Sequence, residues 1–327
     1  MTYTPPYNLN DEILEIVALI TESLGQISSI GDLNKFPRLR RTGRILSIQS
    51  TLAIENNTLT YEQVTDLING KRVLGKPQEI QEVKNAFEAY KQIGILDPTS
   101  IQDMLRAHEV MMFGLDCLAG KFRSGGVGVF NSYGDVVHMA PHAKMVHSLI
   151  SDLFDYLKDT KTHPLIKSCV FHYEFEIIHP FQDGNGRMGR LWQTMILNAW
   201  KPIFAYIPVE SIVKFKQEEY YNAISKSDAT GNSNCFIIFM LNAILEAVKL
   251  TAQNATEHIN HINTRMRNLL KVMEDYPMSA KDIMEKLNLK SKLSFRLNYL
   301  QPAIEIGLIK QTIPEKPTSK NQQYIKT

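Results

Sequence analysis

Residues 179–190, His179-Pro180-Phe181-Gln182-Asp183-Gly184-Asn185-Gly186-Arg187-Met188-Gly189-Arg190, restrict the fold more than any other stretch of this chain. A proline and three glycines so close together interrupt a helix, yet helical apolar spacing runs into the segment from one side and out of it on the other. Upstream, Pro164 is placed to open a helix, and Ile166, Cys169, Val170, Tyr173 and Ile177 keep its spacing up to the turn. Downstream, Leu191 to Trp200 is helical again. A glycine-rich turn that feeds a helix leaves free backbone N–H groups at the helix start, where the dipole also attracts anions. A phosphate chain is the expected guest.

The side chains of the segment fit that guest. Arg187 and Arg190, three apart, share a helix face and can grip phosphate oxygens with paired donors. Asp183 offers the hard carboxylate oxygen that suits Mg2+ bridging phosphates. His179, at the end of the preceding helix, has an ordinary pKa suited to a general base near neutral pH. Each has a plainer role as well: a histidine before a proline can end a helix, Asp-Gly-Asn-Gly is turn composition, and two arginines can be solvated. Their joint occurrence at fixed spacing favours the phosphate site.

The rest of the chain is mostly helical in pattern. Asp11 to Leu24 is amphipathic through Ile13, Ile16, Val17, Ile20 and Leu24, and a second helix is expected from about Pro37 to Glu55, with Ile45, Ile48 and Leu52 on its apolar side and Asn56-Asn57 as its stop. Thr60 and Gln63 form a capping box for a short helix to Asn69, and Ile80, Val83, Phe87 and Tyr90 line the next. Between Gly120 and Pro141, glycines and Tyr133-Gly134-Asp135 punctuate Val127, Val129, Phe130, Val136 and Val137, which predicts a β-hairpin. Gly70 to Lys76 has the spacing of a Walker A loop, but Pro77 stands where Ser or Thr is required and the preceding segment is helical in pattern, so a plain turn is expected.

Composition limits the class. At 327 residues, 44% hydrophobic and 21% charged, the chain can bury a full core in two or three domains. Cys117, Cys169 and Cys235 lie more than fifty residues apart, which argues for neither a metal cage nor a disulfide framework and points to a reducing, cytoplasmic setting. No export signal is apparent in residues 1–25. The apolar stretch from Cys235 to Leu250, broken by Asn242 and Glu246, is expected to be a core helix rather than a membrane span, and the polar run Asn254 to Asn263 a linker.

The segment at 179–190 resembles the motif H-x-F-x-(D/E)-G-N-G-R-x-x-R of the Fic family (filamentation induced by cAMP), matching all eight specified positions. The resemblance extends over about Leu39 to Leu250. It implies a mainly α fold: an N-terminal helical region, 1–105, carrying an inhibitory helix at about 37–56, then a Fic helical bundle at 106–253 with a β-hairpin flap at about 120–141. It also implies a protein adenylyltransferase, moving AMP from ATP to a Tyr, Thr or Ser hydroxyl of a target protein or of the chain itself and releasing pyrophosphate. His179 would be the base, Asp183 would hold Mg2+, and Gly184, Asn185, Gly186, Arg187, Met188, Gly189 and Arg190 would bind the phosphates, mainly through backbone amides and the two guanidiniums. The flap would align the target segment by strand addition. Of the pair Tyr220-Tyr221, Tyr220 would lie beside the adenosine; two adjacent tyrosines are also common packing residues. Thr51-Leu52-Ala53-Ile54-Glu55-Asn56 resembles the family's inhibitory motif (S/T)-x-x-x-E-(G/N), with Glu55 pairing Arg190 in the γ-phosphate's place. An acid at a helix C-terminus is disfavoured by the dipole, which supports a dedicated partner for Glu55.

Residues 262–327 carry twelve Lys or Arg against six Asp or Glu, +6, which leaves −4 for the remainder of a chain whose net charge is +2. Helices at Met278–Leu287 and Ser291–Leu300, and strands at Gly307–Ile309 and Gln323–Ile325, predict a small α+β winged helix. Lys290, Lys292 and Arg296 allow DNA contact without any requirement for it, since no base-reading set of side chains stands out. A homodimer is allowed; a membrane partner is not expected. The competing reading is a DNA-binding regulator whose Fic core only senses nucleotide. Within the enzyme class, the family's loop can also handle another nucleotide donor or remove AMP, alternatives that the motif alone does not separate. Intact His179 favours chemistry over sensing.

Overall fold

In the computed structural model, which describes residues 4–30, 37–130, 136–158, 161–305, 307–317 and 319–327, the chain opens with α1 (Asp11–Ile30). Asn10 caps it by accepting from the Ile13 amide at 2.9 Å, and Asp11 and Glu12 complement the dipole of its first turn. Its stripe of Ile13, Ile16, Ile20, Leu24 and Ile27 is buried. Then comes α2 (Pro37–Ile54), with Ile45, Ile48 and Leu52 in the core and Asn56 left-handed at φ 66°, the stop that the Asn-Asn pair predicts. Gly43 is required in α2, because any Cβ there would strike the backbone of Tyr206.

The capping box of Thr60 and Gln63 opens α3 (Tyr61–Ile68), and α4 (Pro77–Lys91) and α5 (Ile101–Met111) follow. The Walker-like segment is the turn between α3 and α4, with Leu74 almost fully exposed at 93%. A two-stranded antiparallel hairpin follows, β1 (Gly128–Phe130) with β2 (Val136–Met139), its register shifting between Val129 and Phe130. The expected turn residues Tyr133-Gly134-Asp135 lie outside the described residues.

Next come α6 (Val146–Lys158), α7 (Pro164–Ile178) and α8 (Asn185–Trp200). Helix α7 is buried nearly all round, including Phe171 and Phe175 beside the residues that carry the expected spacing, which marks it as the central rod of the core. It packs along α8, while α2 packs against α4, α8 and the later α9 (Val209–Phe215). Helix α10 (Gln217–Thr230) precedes α11 (Asn234–Val272). These helices share one apolar core up to Ala252, so the N-terminal layer belongs to the same compact unit, Met1–Ala252, as the turn at 179–190.

The stretch Asn234–Glu257 is long and apolar enough to cross a membrane by length and composition, more than the sequence reading allowed; in this fold Phe236, Ile237, Met240, Leu241, Ile244 and Val248 are core. The expected linker at 254–263 is corrected: α11 runs through it without a break. Polar side chains are tolerated on an exposed helix face, and without Gly or Pro the composition there does not stop a helix.

The second unit, Gln253–Thr327, has its own core of Met266, Leu269, Met278, Ile283, Phe295 and Ile309, among others. It contains β3 (Met278–Ser279), α12 (Ala280–Lys286), α13 (Lys292–Phe295), α14 (Gln301–Glu305), β4 (Ile309–Gln311) and β5 (Gln323–Lys326), with antiparallel strands in the order β3-β5-β4. The strand expected at Gln323–Ile325 forms, the one expected at Gly307–Ile309 lies two residues downstream as β4, and Met278–Ser279, expected to open a helix, makes a third strand before α12. The second expected helix runs on past Leu300 to Glu305 through a π-helical turn at Arg296–Leu300.

Candidate active site

The turn between α7 and α8 is held from behind by buried polar groups. His179 ends α7 in a left-handed conformation, φ 49°, which turns its side chain out of the helix. Arg123, buried, fastens that bend: its guanidinium donates to the carbonyls of His179 (2.7 Å), Ile178 (3.2 Å), Gly125 (2.7 Å) and Pro141 (2.5 Å). One side chain thus ties the end of α7 to the segments on both sides of the hairpin. His138 of β2 adds a second tie, with Nε2 3.1 Å from the Ile177 carbonyl and Nδ1 2.9 Å from Asp228.

Substituting Arg123 with methionine keeps much of the volume but strips four carbonyls of a donor. At about 1 kcal/mol for each acceptor left dry, a loss of about 4 kcal/mol is expected, read as a lower urea midpoint.

Further along the turn, Phe181 stacks on His108 with ring centroids 3.6 Å apart and planes 4° from parallel. His108 Nδ1 accepts from the Gly120 amide (2.9 Å), so Nε2 carries the hydrogen and donates to the Asp183 carbonyl (3.0 Å). Burial pushes its pKa down to about 4, so the ring is a neutral prop at neutral pH. Asn185 spans the turn, its amide accepting from Phe181 N (2.8 Å) and donating to Phe181 O (2.9 Å). The Asn185 side chain is therefore committed to shaping the loop. Gly184 sits at φ 82° with Met112 Sδ 2.7 Å from where a Cβ would be, so neither its backbone nor its surroundings accept a side chain. No side chain caps α8, which leaves amides of its first turn for a ligand.

Arg187 and Arg190 are both buried. Arg187 donates to Asp183 Oδ1 at 3.1 Å. Arg190 donates through Nε to Thr51 Oγ1 (2.8 Å) and through Nη2 to the Thr51 carbonyl (3.2 Å) and Glu55 Oε1 (2.6 Å). Burial works against the Arg190 charge, but Glu55 and other anions nearby outweigh it and push its pKa up. The Glu55 carboxylate lies directly over Gly186, where a Cβ would come within 2.5 Å of Oε1. Glu55 and Arg190, 135 residues apart in sequence, are thus in contact, the pairing that the resemblance implied.

A cavity of about 580 Å³ opens here, lined by Glu55, His179, Gly184, Gly186, Arg190 and Tyr220, among others. Gly126, Val127 and Gly128 of the hairpin and Met139 border it. His179 Nδ1 faces the Glu176 carbonyl at 3.2 Å, which assigns the hydrogen to Nδ1 and leaves the Nε2 lone pair free. Burial lowers the His179 pKa, with Glu176 pulling the other way, so the ring is neutral and able to accept a proton at neutral pH.

Tyr220 lines the cavity but is buried, its hydroxyl 3.2 Å from His172 Nε2; its neighbour Tyr221 lines the cavity as well. Met188 is in the core, and Gly189 lies against Glu176 and His172, so neither position offers a side chain to a ligand. Asp183 is 64% exposed, and its Oδ1 also accepts from the Gly184 amide at 2.5 Å. Among the described residues no group of three or more His, Cys, Asp or Glu could cage a metal. One exposed carboxylate beside a phosphate site is nevertheless the donor set Mg2+ uses when phosphates and water supply its other ligands. In the second unit Lys290, Lys292 and Arg296 are exposed.

Sequence reasoning missed Arg123, His108, Glu176 and the role of Thr51 as acceptor for Arg190. Only Thr51 carried a signal, as the first residue of the inhibitory motif. The others act through partners dozens of positions away or through burial that α7's spacing did not reveal.

Fold and site together define a helical protein in which an uncapped helix start, a buried arginine and a neutral histidine face one cavity. Comparison with known proteins agrees: residues 98–197 match the Fic/DOC family and residues 264–327 the Fic-like C-terminal domain (filamentation induced by cAMP protein Fic-like). A Fic family protein of Desulfovibrio desulfuricans G20 is 47% identical, with 99% of this chain and 98% of that one covered and a TM-score of 0.75. The chain belongs to the Fic family. Protein adenylyltransferase fic-1 of Caenorhabditis briggsae is 30% identical over 201 residues, which span 57% of this chain but only 37% of that protein's length. The probable protein adenylyltransferase aq_aa38 of Aquifex aeolicus is 27% identical over about half of each chain, 52%.

Proposed function

We propose that this chain is a protein adenylyltransferase that moves AMP from ATP to a hydroxyl of a target protein, or of itself, and is restrained by Glu55. The observation that carries the reading is the placement of His179, its Nε2 free, in one cavity with the uncapped start of α8 and Arg190. In this reading the triphosphate lies along the amides of Gly184 to Arg187, with Arg187 and Arg190 on its outer phosphates. The hairpin at the cavity rim pairs with an extended segment of the target and brings its hydroxyl to His179. Nε2 takes the hydroxyl proton as the oxygen attacks the α-phosphorus, and pyrophosphate leaves. Asp183 would hold Mg2+, which offsets phosphate charge when bound.

Glu55 on Arg190 competes for the guanidinium that the outer phosphate needs, so ATP bound beside it is misaligned for attack. Tyr220 and Tyr221 supply aromatic surface for the base. The second unit is read as a winged helix that docks partners; nothing in its exposed basic residues favours reading DNA sequence over holding protein.

The direct test is differential labelling. With Glu55→Gly protein, label from α-labelled ATP should stay on protein after denaturation and label from γ-labelled ATP should not. Retention of γ label would mean phosphate transfer instead, and retention of neither would count against ATP as donor.

A further inference from the structure

We propose that the buried carboxylate of Glu176 is a charge-positioning group for the base, stabilising the imidazolium that His179 becomes when it takes the target's proton; this rests on His179 being the base.

Glu176 is buried, and its two oxygens look in different directions. Oε2 is 3.9 Å from His179 Nδ1. Oε1 has no hydrogen-bond partner, stands 3.6 Å from His172 Nε2, and fills the space where Gly189 lacks a Cβ, which would come within 2.7 Å of it. The carboxylate thus occupies a recess at the cavity wall that leaves Oε1 without a hydrogen bond of ordinary length, His172 Nε2 being its neighbour at 3.6 Å. What keeps it charged is its basic neighbours, His172 first among them. Burial raises its pKa, but His172, His179 and Arg190 outweigh that and hold it below the usual carboxylate value.

Ionisable groups surround the pair on every packed element. His172 and His179 belong to α7 and its end, Arg190 to α8, Tyr220 and Tyr221 to α10, while Glu55 follows α2 and Arg123 faces His179 from the segment before the hairpin. Both tyrosines have pKa values raised by burial and stay neutral, so of the groups facing His179, Glu176 and Glu55 are the anions and Arg123 the cation. In this reading Glu55 must withdraw for ATP to bind productively. Glu176 then remains as the anion beside the base.

The residue supplies two things through separate atoms. Its carbonyl accepts from Nδ1 at 3.2 Å and fixes the tautomer, and its carboxylate offsets the positive charge that arises in the reaction. In that step the target O–H bond breaks, its proton goes to Nε2, the oxygen bonds the α-phosphorus, and the bond to pyrophosphate breaks with its electron pair. The ring ends with one more positive charge, 3.9 Å from the carboxylate.

Glu176→Gln keeps the shape and the carbonyl and removes only the charge. Without the anion the imidazolium is less stable, so the His179 pKa should fall by about one unit, followed by NMR titration of the ring with His179→Ala protein as the assignment control. In a Glu55→Gly background, kcat should fall ~10-fold at neutral pH with its acid limb displaced to lower pH, while ATP affinity by calorimetry stays within about 2-fold. Glu176→Asp, which restores a carboxylate, should return the acid limb toward its original position. An unmoved His179 titration in Glu176→Gln would overturn the proposal, as would loss of ATP affinity in step with rate. If no variant transfers AMP, the activity reading falls, and the titration still decides whether Glu176 and His179 are coupled.

Discussion

Replacing Glu55 with glycine is expected to raise incorporation of label from α-labelled ATP into protein by roughly 10- to 100-fold over the unmodified chain. The range follows from the contact being lost: a hydrogen bond to a charged group contributes about 1.5–3 kcal/mol, and that bias is what the outer phosphate must overcome to claim Arg190. Glu55 Oε1 and Arg190 Nη2 are 2.6 Å apart, so carboxylate and phosphate cannot both occupy the site. The same substitution should lower the melting temperature of the ATP-free protein, since among the described residues Arg190, buried, then keeps only the Thr51 hydroxyl and carbonyl as side-chain hydrogen-bond acceptors, at 2.8 Å and 3.2 Å. ATP should restore more stability to the Glu55→Gly protein than to the unmodified one, because only there does binding meet no competing carboxylate. Equal labelling by the two proteins would remove Glu55 from the regulatory reading and leave it a structural partner of Arg190.

The second large effect is at the base. In the Glu55→Gly background, His179→Ala should cut transfer by about 10²–10⁴-fold, the span typical of losing a positioned general base, while ATP affinity changes little. The two parts separate because the proposed phosphate site consists of α8 amides and arginines, whereas His179 stands at the end of α7 and is fastened there by Arg123 through its carbonyl, not its ring. Parallel loss of ATP binding and transfer would instead assign His179 to the nucleotide pocket and revive the sensing interpretation.

The chain's spacing foretold most helices and the glycine turn because those features are local. Thr60 with Gln63, Pro164 at the start of α7, and Asn56 as a stop act within a few residues of themselves, and all three formed. The pairing of Glu55 with Arg190 was reachable only through the family's inhibitory motif, since no local pattern links positions 135 residues apart. Arg123 was invisible for a different reason: an isolated arginine before a hairpin is compositionally an ordinary surface residue, and its four carbonyl partners exist only once α7 and the hairpin are packed. The continuous α11 was misjudged because polarity was read as a break, when solvent-facing positions carry no packing demand.

The way α2 is built into the core has a bearing on how such a restraint can evolve and be removed. Ser47 donates to buried Glu210 at 2.7 Å, and Glu210 also accepts from Tyr90 at 2.8 Å and Thr194 at 3.3 Å. At the other end of the helix, Lys214 and Gln217 donate to the carbonyls of Ala53 and Ile54 at 2.8 Å and 3.0 Å. A zymogen carries its inhibitor on a detachable pro-segment, and cutting it away liberates a finished enzyme. In the proposed reading the helix that carries the restraint is a wall of the same compact unit, so truncation would forfeit the scaffold along with the brake, and release would come from the swing of the Glu55 side chain.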